Sequence, residues 1–596
     1  MELKKIVLVE PEAPSEHVYS AVRMPRLGLP LLGAILKEEG YQVDIFMGKR
    51  KNLPRQYFLD ADLIGISTTT STCYEAYRIA TYLRNRGKPV VIGGIHATFL
   101  PEEALQYADY VVRGEAEYSF STLVKVLQQG GSPEGIPGVS YWKNNQMHHN
   151  EGNNCWADVN TLPPPDLSLI HNYYDRNIRT YPVITSRGCP YDCTFCSVTP
   201  MFGRGYRYKE NEQILKEMSR YDKGNVFFVD DNFAANRKRT KELLQEMIDR
   251  NISLKWWGAQ VRAEMAKDTE LLDLMRRTNA GMVFIGFESI NPETLEAYNK
   301  KQNVEEIVES IRLFHDYGIR VHGMFIFGGD GDTKETVKET VDFALKSRID
   351  TVQFLTLTPL PGTATFKQLE TEGRLLTRNW ELYDGHHVVY EPRKISPEQL
   401  QEETVKAHKR FYAFRNWWSN VPLTGWGTVL YRGMGCYIIN RWEKHNRWFE
   451  PVLKKYLGKT DTLQTSEEAP LISRKVKAFK LKRLKPIKDN LMQIYMSQKD
   501  GVFYLQIKGV VNQNTLKALY KEINKVIPEK YFDLVIKTEG IRFTSEKSAE
   551  KFSRLLNNVG DRARRLKVVG HMEDGIQKIA DRYSSSIPRF ELTYKK

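Results

Sequence analysis

The 596-residue sequence predicts an α/β protein in several parts: an N-terminal doubly wound parallel sheet, a central six-stranded partial (β/α) barrel, a helical cap and a small C-terminal α/β domain. Three observations predict it. The chain is too long for one hydrophobic core, at roughly 100–200 residues per domain. Short apolar runs alternate with helix-length amphipathic stretches through residues 1–370, as βαβ units do. Two stretches interrupt the alternation, the stiff LPPPD at 162–166 and the polar TDTLQTSEEAP at 460–470.

In residues 1–135 the strand-like runs are KKIVLVE, YQVDIF, DLIGIS, PVVIGG and YVVRGE, separated by patterns such as LGLPLLGAILKEEG and YEAYRIATYLRNRG. Ligands of such sheets sit beyond the carboxyl ends of the strands. Those ends carry Glu10-Pro11, Ser67 to Thr70, Gly93-Gly94-Ile95-His96 and Arg113-Gly114-Glu115. Residues 136–179 read as a linker. A second series over 180–374 supplies PVITS, NVFFVDD, KWWGAQ, MVFIGFES, VHGMFIFGG and TVQFLTLTP, most of them closed by polar residues where barrels place their chemistry (Asp230-Asp231, Gln260 and Arg262, Glu288-Ser289, Asp330). Residues 375–458 read as a helical cap, in which five of the ten tryptophans cluster over 417–448: Trp417, Trp418, Trp426, Trp442 and Trp448. Tryptophan beside cations suits either an apolar–water boundary or rings buried against the barrel. A basic linker over 459–492 precedes a small α/β domain at 493–596, in which GVFYLQIKG and FDLVIKT read as strands.

Composition narrows the class. Hydrophobic residues make up 41% and aromatics 11%, which suits a globular enzyme and disfavours wholesale disorder. MELKKIVLVEPEAP lacks the apolar stretch of a signal peptide, and no run of 18 uncharged apolar residues occurs, so a cytoplasmic location is expected. The formal charge of +14 is concentrated at Arg474–Lys488, where eight basic residues stand without an acid. Such a run binds an anionic surface or is a solvated linker.

Six cysteines are too few for a disulfide scaffold. Cys73, Cys155 and Cys436 are scattered, whereas Cys189, Cys193 and Cys196 form CxxxCxxC directly after the strand PVITSRG. Soft thiolates at this spacing wrap a single iron–sulfur cube. Three ligands for four irons leave one iron open, as a catalytic site requires. A structural zinc would want a fourth ligand close by, and the next histidine is His315.

On these cysteines the sequence resembles the radical SAM superfamily. The resemblance implies a [4Fe–4S] cluster whose open iron is chelated by the amino and carboxylate groups of S-adenosylmethionine, which is cleaved to a 5′-deoxyadenosyl radical. It further implies contacts with S-adenosylmethionine from Phe195 before the last cysteine, Asp230 and Asp231 after strand two, Arg262 after strand three, Glu288 after strand four, and the Gly328-Gly329 turn before Asp330. The runs GISTTTST, GGIHATFLPEEAL and VVRGEAE resemble the cobalamin-binding domain that precedes many such barrels. That likeness implies a corrinoid held by Ser67, Thr68, Thr70, Gly93, Gly94, His96, Gly114 and Glu115. The DxHxxG pattern that supplies a histidine to cobalt is absent, since His17 lies in EAPSEHVYSAV, so base-off cobalamin is expected with His96 as a pocket residue. The stretch YDGHHVVYEPRKISPEQLQ resembles the tail of anaerobic magnesium-protoporphyrin ester cyclases and hopanoid-modifying proteins, and the final domain is weakly similar to STAS modules. His386 and His387 are neighbours in that tail, which points to a structural role for at least one.

The expected function is cobalamin-dependent methylation of an unactivated carbon, with radical cyclisation, oxidation or C–C bond formation on a lipid or tetrapyrrole-like substrate as the alternative. No residue is singled out as a general acid or base. The expected partners are a small-molecule or lipid substrate, a flavodoxin or ferredoxin as electron donor, and a peripheral contact at the inner face of the membrane. No nucleic acid is expected, because no RNA-binding motif is evident.

Overall fold

The computed structural model describes residues 3–447 apart from 13–23, 49–52, 153–155, 172–179 and 222, and beyond 447 it describes Phe449, Leu453 and the strands and a few core positions of a second unit. His17, Cys155, Trp448, the 460–470 stretch and most of the basic run lie outside the described residues. The chain divides into two compact units, Met1–Leu463 and Gln464–Lys596.

The first sheet of unit one comprises β1 (Lys5–Pro11), β2 (Gln42–Gly48), β3 (Leu63–Ser67), β4 (Val90–Gly93), β5 (Tyr110–Val112), β6 (Val139–Lys143) and β7 (Gln146–His149), in the order β2-β1-β3-β4-β5-β6-β7. The first five are parallel. Six of the seven residues of β1 are buried, the near-continuous apolar run of a strand covered on both faces. The order reverses between β1 and β3, which opens a crevice at their carboxyl ends. The β6–β7 hairpin lies within residues 136–179, expected as linker. Its turn, Asn144-Asn145, takes φ of 53° and 60°, a conformation asparagine tolerates, and it adds two antiparallel strands to the sheet.

The barrel strands are β8 (Thr180–Val183), β11 (Asn225–Phe228), β12 (Trp256–Val261), β13 (Ala280–Glu288), β14 (Arg320–Phe327) and β15 (Thr351–Thr356), all parallel and adjacent in chain order. A short antiparallel pair, β9 (Ser186–Arg187) and β10 (Arg207–Tyr208), stands apart after β8. Alternate residues on each strand part company. Val226, Phe228, Trp257, Ala259, Val283, Ile285, Phe325 and Phe354 pack beneath the surrounding helices in one large core.

The open edge at β15 is sealed by side chains of the helix Pro397–Phe411 and the residue after it, so no free ladder is left there. Tyr412 Oη donates to Val352 O (2.6 Å) and accepts from Val352 N (3.0 Å). His408 Nε2 accepts from Phe354 N (3.2 Å), which leaves the ring proton on Nδ1 facing Thr404 O (3.0 Å). Burial pushes the His408 imidazole down to about 4. This lies below the roughly 6.5 of an unfolded chain, so the contact stabilises fully above about pH 6.5 and is lost as the pH falls toward 4. Thermal unfolding of the His408→Gln protein is therefore expected to depend less steeply on pH across that window than that of the parent.

Residues 375–458 depart from the helical cap expected. From Leu375 to Ser396 only Trp380–Leu382 is helical, a single 3₁₀ turn, and the segment is a strap that joins the N-terminal core. Trp380 is buried there and donates to Glu103 at 3.0 Å, Glu381 pairs with Arg78 (3.1 Å), and Tyr74 donates to Arg378 O (2.9 Å). Helices follow at Pro397–Phe411, Val421–Thr424 and Gly427–Asn446. Trp442 is buried, as rings packed against the fold would be, whereas Trp418 and Trp426 are exposed.

Unit two contains a sheet in chain order, β16 (Lys482–Arg483), β17 (Met492–Lys499), β18 (Val502–Val511), β19 (Phe532–Phe543), β20 (Ala563–Gly570) and β21 (Phe590–Thr593). The first two pairings are antiparallel and the last three parallel. Its first strand falls within the stretch read as basic linker. Leu516, Leu519, Phe552 and Leu555 are buried helical positions between parallel strands.

Candidate active site

The three cysteines sit on one excursion between β9 and β10. Arg187 pairs with Arg207, and Ser186 with Tyr208, so the ladder closes the neck of the loop 188–206. Gly188 has φ of 83° and lies against the Gly205 carbonyl, leaving no room for a side chain. Inside the loop Cys196 N donates to Cys193 O (3.1 Å), and Thr199 Oγ1 donates to Tyr191 O (2.7 Å). All three thiols are free and half-buried. Burial raises Cys189, and it pushes Cys196 up to about 12. Three soft donors on one short loop fit an iron–sulfur cube that draws them together as thiolates.

The strand-end residues divide. Asp230 is wholly buried and accepts from Thr185 N (3.1 Å), Thr185 Oγ1 (2.9 Å) and Ser186 Oγ, so it pins β8 to β11 and is spent. Asp231 points the other way and accepts from Gly188 N at the neck of the cysteine loop. Burial, then the neighbouring Asp230, raises its carboxyl to about 6. Arg262 stacks on the Tyr191 ring at 3.8 Å and pairs with Glu264 (2.8 Å), which also accepts from Tyr191 Oη (2.8 Å). Its charge is thereby held beside Cys189 and Cys193. Phe195 meets the Tyr298 ring edge-on at 5.0 Å. Glu288 is paired with Lys300 (2.9 Å) and has φ of 64°, a left-handed conformation costly for a glutamate at a strand end.

Gly328 and Gly329 do not offer their backbone to a nucleoside as expected. Both N–H groups donate to Asp332 Oδ2 (3.0 Å each), the Gly328 carbonyl accepts from Tyr390 Oη, and both residues are buried. Gly328 is a glycine because its φ is 96° and Tyr390 occupies the space of a side chain.

At the N-terminal crevice Thr68 N and Oγ1 both donate to Gly93 O (2.8 Å each), which ties the ends of β3 and β4 together. A side-chain carbon on Gly94 would lie 2.5 Å from Thr68 O, so this glycine serves the approach of two loops. Thr68 and Thr70 are buried, and Gly114 N is taken by Thr98 Oγ1 (2.9 Å). His96 is no pocket residue. Its ring is fully buried, 3.6 Å from Glu103 and edge-on to Trp380. Glu115 accepts from Arg187 and Arg207, and from Ala157 N (3.2 Å), so it clamps the end of β5 to both strands of the cysteine-loop neck. Ser67 and Gly93 remain on the rim, joined by Thr69 and Ser71, all partly exposed. Hydroxyls and bare backbone on an accessible rim at the switch point fit a large polar corrinoid.

Residues that strand-end reasoning missed line the barrel interior. Phe227 meets Phe284 edge-on at 5.1 Å, and Phe284 meets His322 at 4.7 Å. Burial pushes the His322 imidazole down to about 4, so it is neutral, and its Nδ1 lies 2.8 Å from Thr351 Oγ1. The signal for these residues is the second period-two stripe of each strand, which leaves Phe227, Phe284, His322 and Met324 half-buried between core residues.

A half-open parallel barrel with three free cysteines on a loop after its first strand, preceded by a doubly wound sheet, defines a radical SAM enzyme with an N-terminal cofactor domain. Residues 183–344 match the radical SAM superfamily, and residues 18–124 match the B12 binding domain. The chain is 32% identical over 432 residues to an uncharacterized methyltransferase of Pyrococcus horikoshii, covering 69% of this chain and 93% of the relative. It is 30% identical over 423 residues to a bacteriochlorophyllide d C-12(1)-methyltransferase of Chlorobaculum tepidum (69% and 87%). The fold also matches the cobalamin-dependent S-adenosylmethionine radical enzyme OxsB, with a TM-score of 0.56 and 17% identity over 77% of this chain and 82% of that one. The chain belongs to the cobalamin-dependent radical SAM methyltransferase family, whose cofactors are a [4Fe–4S] cluster, S-adenosylmethionine and cobalamin.

Proposed function

We propose that the chain methylates an unactivated carbon of an apolar small molecule or lipid. The observation that carries this reading is the Glu115 clamp, because it ties the rim of the cofactor sheet to the neck of the cysteine loop. When bound, the cofactors supply a hydrogen-abstracting adenosyl radical and a transferable methyl group. The chain's own residues hold these groups in register. Cys189, Cys193 and Cys196 ligate the cluster, and Asp231 and Arg262 flank it with opposite charges. We assign Asp231 to the methionine amine, since its carboxyl faces the cysteine loop while that of Asp230 is spent. Phe227, Phe284, Met324 and a neutral His322 give the barrel an interior with little to offer water. That lining suits a flat apolar substrate, and the Chlorobaculum relative is named for methylating a bacteriochlorophyllide.

A low-potential flavodoxin or ferredoxin as electron source completes the reading, with residence at a membrane surface. Among the described residues no helix is long and apolar enough to cross a membrane. The test is anaerobic turnover of the reconstituted protein with methyl-deuterated S-adenosylmethionine and an extract of host lipids and pigments. Label in one apolar product is expected. Formation of 5′-deoxyadenosine with a product that carries no label would replace methylation by cyclisation or oxidation.

A further inference from the structure

We infer that the outward face of the helix Gly427–Asn446, with the loop before it, docks on an anionic lipid surface. Among the described residues thirteen large hydrophobic side chains are exposed, and seven lie between 414 and 437: Phe414, Trp418, Leu423, Trp426, Leu430, Met434 and Tyr437. Three of them adjoin through their rings, and Leu430, Met434 and Tyr437 follow at helical spacing. Phe414 and Trp418 rings are 6.2 Å apart, and Trp418 meets Trp426 edge-on at 5.8 Å. Scattered apolar residues are normal on a surface, but a contiguous cluster of this kind marks a contact site.

The first half of the helix is inside out. Ile439 and Trp442 are buried in its second half, but the first half buries Thr428 and Arg432, and Arg432 is wholly inaccessible, donating to Asp350 O (2.8 Å) and Ile349 O (2.7 Å). The opposite stripe runs Leu430, Met434, Tyr437, Arg441, Lys444 at helical spacing, all exposed. A helix that had only to fold would bury the leucine and methionine and leave the arginine outside.

The occupant is identified by charge and by side-chain type. Exposed Arg415, Arg441, Lys444 and Arg447 flank the apolar residues. The single acid between 412 and 447, Glu443, is paired with Lys409 (2.6 Å). Tryptophan and tyrosine at the centre with cations at one end is the composition of a helix lying in the plane of a lipid interface, where rings sit at headgroup depth and bases meet phosphates. This face stands on its own residues and does not depend on the reaction proposed above.

The test is flotation of the full-length, cluster-loaded protein with vesicles of equal parts phosphatidylglycerol and phosphatidylcholine, repeated with phosphatidylcholine alone. Binding to the anionic vesicles is expected, with weaker binding to the neutral ones. The Trp426→Ser/Leu430→Ser double variant is expected to bind about a hundredfold more weakly, at roughly tenfold per interfacial side chain lost. Both positions are exposed, so its iron content and circular dichroism should match the parent. At about 1 M salt, where the screening length is ~3 Å, purely electrostatic attachment through the 474–488 run is suppressed and the apolar contribution persists. Failure of the parent to float overturns the proposal, as does equal flotation of parent and variant at high salt. A parent that dimerises without binding vesicles, and whose dimer the variant dissolves, also overturns it by making the face a contact between two copies.

Discussion

Replacing any one of Cys189, Cys193 or Cys196 by alanine is expected to drive S-adenosylmethionine cleavage to background and to strip most of the iron from the reconstituted protein. The reason is ligand number. The loop offers three thiols and no fourth, so each loss leaves two ligands for four irons, and among the described residues no other cysteine is positioned to compensate. Cys73 is buried in the N-terminal core, and Cys436 lies on the helix that follows the strap. The loop neck is set by the β9–β10 ladder and by Gly188, not by the thiols, so the variants should still fold. Iron and sulfide content, visible absorption and 5′-deoxyadenosine yield check the three losses, with near-ultraviolet circular dichroism as the folding control. A variant that kept full iron content and turnover would remove that cysteine from the ligand set.

The second large effect is expected at Glu115. Its carboxylate is buried and shared by Arg187 and Arg207, which are themselves largely shielded. Glu115→Ala leaves two guanidinium groups without their counter-ion, and breaking a buried pair from one side costs about 3–5 kcal/mol. Glu117 still pairs with Arg187 (2.5 Å), which places the loss toward the lower end of that range. Glu115→Gln keeps the shape and accepts one hydrogen bond, so it should fall between the two. Denaturant unfolding of unit one measures the stability. If Glu115 were instead a corrinoid contact, as its strand-end position suggests, Glu115→Gln would weaken cobalamin binding while leaving apo stability unchanged.

What the sequence reveals follows the range of the interactions. The cysteine loop is legible because its chemistry is complete within eight positions. The two βα series are legible because burial imposes a period on every strand. The division of labour between Asp230 and Asp231 is not, since adjacent residues at a strand end look alike until the pleat turns one to Thr185 and the other to Gly188. Glu115 and His96 read as pocket residues because their partners are remote in sequence: Arg207 is 92 positions from Glu115, and Trp380, which faces His96, is held by Glu103 across 277 positions. Gly94 and Gly328 are glycines for reasons of local packing that only the neighbouring chain discloses. The five clustered tryptophans carry no mark in sequence of which is core and which surface, and the structure separates Trp442 from Trp426. The strap at 375–396 escaped because its apolar residues complete a core that begins at β1.

The central claim is that the corrinoid of the first sheet and the cluster of the barrel serve one reaction. The most direct measurement is single-vessel anaerobic turnover of the reconstituted protein with S-adenosylmethionine and reductant, with cobalamin present or omitted. With cobalamin, both S-adenosylhomocysteine and 5′-deoxyadenosine are predicted, and without it S-adenosylhomocysteine disappears while 5′-deoxyadenosine persists. S-adenosylhomocysteine formation at the same rate with and without cobalamin, or the absence of both products, would contradict the account.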